Sequence, residues 1–218
     1  QAGYNVTGSN NVMLGAQAGQ GAGNVDTNSA VFIGKYAGYS RVDSSGVDVG
    51  NVFIGRDAGY FPTGAYNVFI GHSAGKGNTT TKSAASNVAI GREALMSITS
   101  GDKNTAVGYQ AGYSQTTDDD GATYIGYKAG RADYGNNRSL FIGSEAGQSN
   151  TTGGNNLAIG FKALEDNVTG IHNVVIGREA GKENTGNQNV ALGTYALKSS
   201  VAHYYNTAIG DAAMQGST

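Results

Sequence analysis

A three-residue apolar run closed by glycine returns throughout the chain, as in Val12-Met13-Leu14-Gly15, Val52-Phe53-Ile54-Gly55, Val174-Val175-Ile176-Gly177 and Thr207-Ala208-Ile209-Gly210. Twelve such runs occur, their glycines 16 to 21 residues apart. The first position is Val, Leu or Thr and the third Ile, Leu or Val, so each run suits a short β-strand. In a strand the first and third side chains share one face and the middle one takes the other. Three residues after every anchor glycine stands an alanine, from Ala18 to Ala213. Glycine follows it in eight repeats, Leu or Met in four (Leu95, Leu164, Leu197 and Met214). Asn lies four residues before the anchor in nine repeats, with Ala30, Ala122 and Ser139 as the exceptions. Self-similarity at a nearly fixed period is the signature of a repeat architecture.

One repeat cannot fold alone. Ordering its backbone costs roughly 1–2 kcal/mol per residue, whereas each buried aliphatic side chain returns only about 1.5–3 kcal/mol. Stacking repeats joins their small cores and pairs their backbones. The expected fold is therefore all-β: a parallel β-solenoid or β-roll of about twelve rungs, forming one repeat domain over residues 1–218 and a rod roughly 55 Å long. The anchor glycine is expected to turn the chain out of the strand through positive φ, the alanine to fill a narrow interior, and the Asn column to hydrogen-bond from rung to rung. The middle strand position carries Met13, Phe32, Phe53, Phe69, Tyr124, Phe141 and Val175 among smaller residues. A strand apolar on both faces is covered on both, and these seven are expected to form the interface between chains.

Composition narrows the reading. With 36 Gly but 1 Pro, the chain has neither the composition nor the period of collagen. The net charge of −2 argues against a phosphate-binding surface, so no nucleic-acid partner is expected. No apolar run reaches the roughly 20 residues of a membrane span, and no membrane insertion is expected. Without Cys there is no disulfide framework or thiolate metal site. His72, His172 and His203 lie at different offsets from their anchors and do not read as a metal set. Asp118-Asp119-Asp120-Gly121 lacks the alternating ligands and closing glutamate of a calcium loop. No cofactor or catalytic constellation is expected, hence no enzyme. Gln1-Ala2-Gly3 matches Gln17-Ala18-Gly19, so the chain opens inside a repeat and reads as a segment of a longer fibre.

Asn87-Val88-Ala89-Ile90-Gly91, Asn156-Leu157-Ala158-Ile159-Gly160 and Asn206-Thr207-Ala208-Ile209-Gly210 resemble the head motif of trimeric autotransporter adhesins. Asn104-Thr105-Ala106-Val107-Gly108-Tyr109-Gln110-Ala111, together with Asn150-Thr151-Thr152-Gly153, is similar to the β-roll repeats of bacteriophage tail fibres. The resemblance runs over essentially the whole chain. It implies a homotrimer of parallel β-rolls, left-handed in the adhesin family. The longer period and the Asn one place closer to the glycine favour the fibre-type relatives.

The function expected is that of an extracellular structural fibre segment, in a virion tail fibre or on a bacterial surface, supporting attachment to a host cell-surface glycan or protein. Tyr36, Tyr39, Tyr60, Tyr109, Tyr113 and Tyr127, with Phe61, follow the anchor on the outside; of these Tyr39, Tyr60, Phe61 and Tyr113 are candidates for receptor contact, as is the Asp118, Asp119, Asp120 turn. The long loops from Ser40 to Gly50 and from Gly77 to Ser86 break the spacing and are further candidates. Alternatives are a self-assembling extracellular filament and a glycan-binding or ice-binding solenoid, the last requiring a regular Thr array that the repeats do not show.

Overall fold

The computed structural model describes residues 1–4, 6–21, 25–39, 48–61, 64–78, 84–116, 121–134, 138–199 and 204–216. In chain order the strands are β1 (Val6–Thr7), β2 (Val12–Leu14), β3 (Val25–Asn28), β4 (Val31–Ile33), β5 (Asp48–Val49), β6 (Val52–Ile54), β7 (Val68–Ile70), β8 (Val88–Ile90), β9 (Thr105–Val107), β10 (Thr123–Ile125), β11 (Leu140–Ile142), β12 (Leu157–Ile159), β13 (Val174–Ile176), β14 (Val190–Leu192) and β15 (Thr207–Ile209). Twelve of them form one parallel sheet in strict chain order from β2 to β15, while β1, β3 and β5 make a small second sheet. Each strand pairs with its equivalent one repeat away in the same register, for example Val52 with Val68, Phe53 with Phe69 and Ile54 with Ile70. The molecule is an all-β parallel solenoid.

The anchor glycines explain why the coil repeats so faithfully. Their φ values, from +126° to +141°, lie where side chains rarely go. A Cβ placed on Gly15 or Gly34 would also come within 2.6–2.7 Å of the carbonyl oxygen of the next anchor glycine. Each anchor therefore sits directly on the next one, with no room for a methyl group.

Inside, the alanine column from Ala18 to Ala196 is fully buried. So is the middle strand position: Phe32, Phe53, Tyr124, Phe141 and Val175 have no exposed surface and Phe69 has 2%. Phe32, Phe53 and Phe69 stack face to face at 5.0–5.1 Å. This corrects the expected placement of the middle column. Phe32, Phe53, Phe69, Tyr124, Phe141 and Val175 fill the chain's own core and cannot reach a partner; Met13, at the first rung of the large sheet, is half-buried and packs on that core. The outward face instead belongs to the first and third strand positions.

A large residue in the middle column needs space, and the residue after the alanine supplies it. A Cβ on Gly59 would come within 2.7 Å of the Phe53 ring, and one on Gly147 within 2.7 Å of the Phe141 ring. Where the middle residue is Ala89, Ala158 or Ala191, the following position is Leu95, Leu164 or Leu197, each buried. Ala106 with Gly112 is the one small pair, and there Leu95 from one neighbouring rung and Tyr124 from the other close on the glycine.

The Asn column lines the other side of the core. Asn51, Asn67, Asn87, Asn104, Asn156, Asn173 and Asn189 are buried. The Asn189 backbone N–H donates to Asn173 Oδ1 at 2.9 Å, and the Asn173 backbone N–H donates to Asn156 Oδ1 at 2.9 Å. Asn173 Nδ2 donates to the Gly186 carbonyl at 2.9 Å, tying strand to return segment within the rung. At Ser139 the hydroxyl takes the same role, accepting from the Asn156 N–H at 3.2 Å. A second buried polar column, four residues after the alanine, holds Gln115, Asp133, Asn150, Asn167 and Asn184. The Tyr124 hydroxyl donates to Asp133 Oδ2 at 2.9 Å, so the one tyrosine in the core has a partner for its polar end.

Candidate functional surfaces

Two surface features stand out once the core is assigned. The first is the outer face of the large sheet. Its first column is Val or Leu except at Thr105, Thr123 and Thr207, and its third is Ile, Leu or Val in every rung, without a charge in either. On interior rungs Ile90, Ile125 and Ile176 are each 38% exposed; at the end rungs Leu14 reaches 65% and Ile209 68%. With strands about 4.8 Å apart, the stripe is roughly 50 Å long and 10 Å wide, or about 500 Å². The largest apolar patch on a typical monomer is about 300–600 Å² and often functional, so the stripe falls in the range of a working surface.

The second feature lies on the turn that follows the strand. The second residue after each anchor adopts a left-handed conformation, as at Tyr36 (φ 62°), Asp57 (58°), Glu93 (61°) and Glu179 (52°). Its side chain stands beside that of the fifth residue after an anchor, such as Tyr39, Tyr60, Lys76, Arg131, Glu165 or Lys198. Over the later rungs this surface is ionic. Lys162 Nζ lies 3.1 Å from both Glu145 Oε2 and Glu165 Oε1, and Lys198 Nζ lies 2.6 Å from Glu179 Oε2. The hydrogen bond from Lys198 holds the Glu179 carboxyl below its ordinary 4.5, and the one from Gln110 does the same for Glu93. Hydrogen bonds to Glu165 and Glu145 raise the Lys162 ammonium, and one to Glu179 raises Lys198.

Over the early rungs the same surface is aromatic. Tyr36 lies 5.1 Å from Tyr39 and 5.9 Å from Tyr60, Tyr39 lies 4.9 Å from Tyr60, and Tyr60 lies 4.6 Å from Phe61, mostly edge to face. All four are half-buried. Lys35 Nζ stands 4.8 Å from the Tyr36 ring centre and Lys76 Nζ 5.6 Å from that of Tyr60. Burial, then the phenols of Tyr39 and Tyr36 and the Asp57 carboxylate, raise the Tyr60 hydroxyl above its ordinary 10.0, which keeps it a donor.

The structure brings Tyr36, Tyr39, Tyr60 and Phe61 together. Tyr113 is elsewhere, half-buried under the Arg131 guanidinium at 5.4 Å. Tyr109 and Tyr127 form their own stacked pair at 5.5 Å. Asp118, Asp119 and Asp120 lie outside the described residues, as do His203, residues 40–47 and residues 79–83. His72 stands on the surface, 3.9 Å from the Asp57 carboxylate, and His172 is exposed at an outer turn. Among the described residues no three metal-binding side chains converge, and no helix is long and apolar enough to cross a membrane. No family model matches the chain, and no curated protein or solved structure matches it either.

Proposed function

We propose that this chain is a structural fibre segment, of the kind found in phage tail fibres and bacterial surface adhesins, that assembles as a parallel homotrimer and supports attachment to a host cell surface. The observation that carries the reading is the uncharged aliphatic stripe on the outer face of the sheet. It runs the length of the coil, two side chains wide, and three copies facing a common axis would each cover it. A sheet exposed on one side to water normally alternates apolar with polar residues; here the outward positions are aliphatic except for Thr105, Thr123 and Thr207, and none is charged. The rest of the molecule suits a rigid, load-bearing shaft: backbone ladders, anchor glycines and buried amides all repeat along one axis.

The test is the solution mass by light scattering, with circular dichroism on the same samples. The wild-type chain is expected at three times its own mass. An Ile54→Asp, Ile142→Asp double variant is expected at the monomer mass with its β spectrum retained, because both side chains point away from the core. Phe53→Asp, by contrast, places a charge inside the coil and is expected to unfold it. A folded wild-type monomer, or a double variant that keeps the trimer mass, would overturn the reading.

A further inference from the structure

The turn surface is built from two columns whose structural duty is modest. The same left-handed turn is made with Glu93, Gln110, Glu145, Lys162 and Glu179 at its second position, and the neighbouring column accepts Gln20, Met96, Gln148 and Lys182. The fold therefore does not require aromatic residues there. Yet Tyr36, Tyr39 and Tyr60 occupy these two columns on consecutive rungs and contact one another, with Phe61 against Tyr60. On the later rungs the surface closes on itself through Glu–Lys pairs. On the early rungs it presents rings, phenol hydroxyls and ammonium groups, and the Asp57 carboxylate beside them is paired with Arg56 at 3.2 Å.

We infer that the Tyr36, Tyr39, Tyr60 and Phe61 cluster, with Lys35 and Lys76, is a binding site for an acidic oligosaccharide. The inference rests on the attachment reading above and names its ligand class. Sugar rings offer C–H faces that lie against aromatic rings and hydroxyls that exchange hydrogen bonds with phenols. A carboxylate on the sugar adds the charge that Lys35 and Lys76 complement. Each ring is wedged by its neighbours, so little side-chain freedom is lost on binding. The site belongs to the turns after the strands rather than to the aliphatic stripe, so it stays open when that stripe is covered. Three chains would present three such sites, and a polysaccharide spanning two of them would be held by avidity.

The experiment is titration calorimetry of the full chain with short oligomers of galacturonate, of mannuronate–guluronate and of a glucuronate-containing glycan, against neutral glucan oligomers of matched length. Saturable binding is expected for at least one acidic oligomer, weaker in high salt and at least about tenfold tighter than the neutral control. Tyr60→Gln is the main variant, since Gln148 holds the equivalent position in this fold; it is expected to weaken binding about tenfold, and Lys76→Gln severalfold. Tyr109→Ser, on the separate stacked pair, is expected to leave binding unchanged. Failure of every acidic oligomer to bind, equal binding of the neutral glucan, or wild-type affinity in Tyr60→Gln would overturn the inference. The solution mass of Tyr60→Gln is expected to equal that of the wild type, so loss of binding and loss of assembly are read separately.

Discussion

Leu95 occupies a left-handed backbone conformation, φ +46°, that costs a side-chain-bearing residue roughly 1–2 kcal/mol. Leu164 and Leu197 do the same at +56° and +52°. The strain is tolerated because the facing middle residue is alanine in all three rungs, and burying a leucine returns about 1.5–3 kcal/mol. Where the middle residue is Phe, the ring fills that space and glycine takes the turn without strain. The two positions behave as one volume. Phe69→Ala alone is expected to destabilise the protein by about 3–5 kcal/mol, through lost burial and the void left behind. Gly75→Leu alone forces a side chain against the Phe69 ring. Together they recreate the Ala89 and Leu95 arrangement, so the double variant is expected to recover most of the loss. Urea denaturation of the two single variants and the double gives the coupling energy, and additive losses would refute the shared volume.

Within each rung, the strand, its turn and the buried amide column act together. Asn173 accepts from the Asn189 N–H and donates to Gly186, so one side chain satisfies a donor on one neighbouring rung and an acceptor on the return segment. Asn173→Leu would bury both groups unpaired, each at about 1–3 kcal/mol. The expected cost, roughly 2–5 kcal/mol in urea denaturation, should exceed that of replacing an exposed Asn such as Asn155. The strands, their rung-to-rung equivalence, the glycine turns, the alanine interior and the amide ladder were all legible in the sequence, because each leaves a column of one residue type. Which face of the strand looks inward was not. With all three strand positions apolar, alternation carries no polarity, and Val52, Phe53 and Ile54 read the same on either face. The sequence did hold a signal: Phe53 is followed by Gly59 but Ala89 by Leu95, and such an exchange of bulk makes sense only between residues that share one interior. The aromatic cluster was half legible. Tyr36, Tyr39, Tyr60 and Phe61 all stood out as outward residues, whereas the contact of Tyr36 and Tyr39 with Tyr60 depends on how the turn positions meet across rungs, which linear spacing does not reveal.

At the scale of the whole molecule, stability accumulates rung by rung, each one supported by its two neighbours. Charge is arranged the same way, with Glu145, Lys162 and Glu165 spanning two rungs and Glu179 and Lys198 two more. The Glu93 and Glu179 carboxyls are held below their ordinary 4.5 in the folded chain. Their contribution is therefore present above that value and is lost as pH falls through the depressed folded values. The melting temperature is expected to drop on acidification in this window, and less steeply in Glu179→Gln. The Lys162 and Lys198 ammonium groups, raised above 10.5, act in the opposite sense: their contribution is full below that value and fades as pH climbs past it. Because these side chains are partly solvated, added salt is expected to shrink the acid effect. A slope unchanged by Glu179→Gln would show that the pair contributes nothing to folding.

The glycine-on-glycine contact along the turn also bears on how such a molecule can change. Gly15 and Gly34 each leave space only for the next anchor's carbonyl, so every rung must begin and end its strand at the same place relative to its neighbour. A strand exchanged for another, or a whole rung duplicated or deleted, meets the same seat above and below. Length thus becomes a quantity that unequal recombination can adjust in whole coils, and decoration of the turns can drift from aromatic to ionic without disturbing it. The stack works as a ruler with interchangeable divisions, in which the surface chemistry at any height can be rewritten while the height itself is kept.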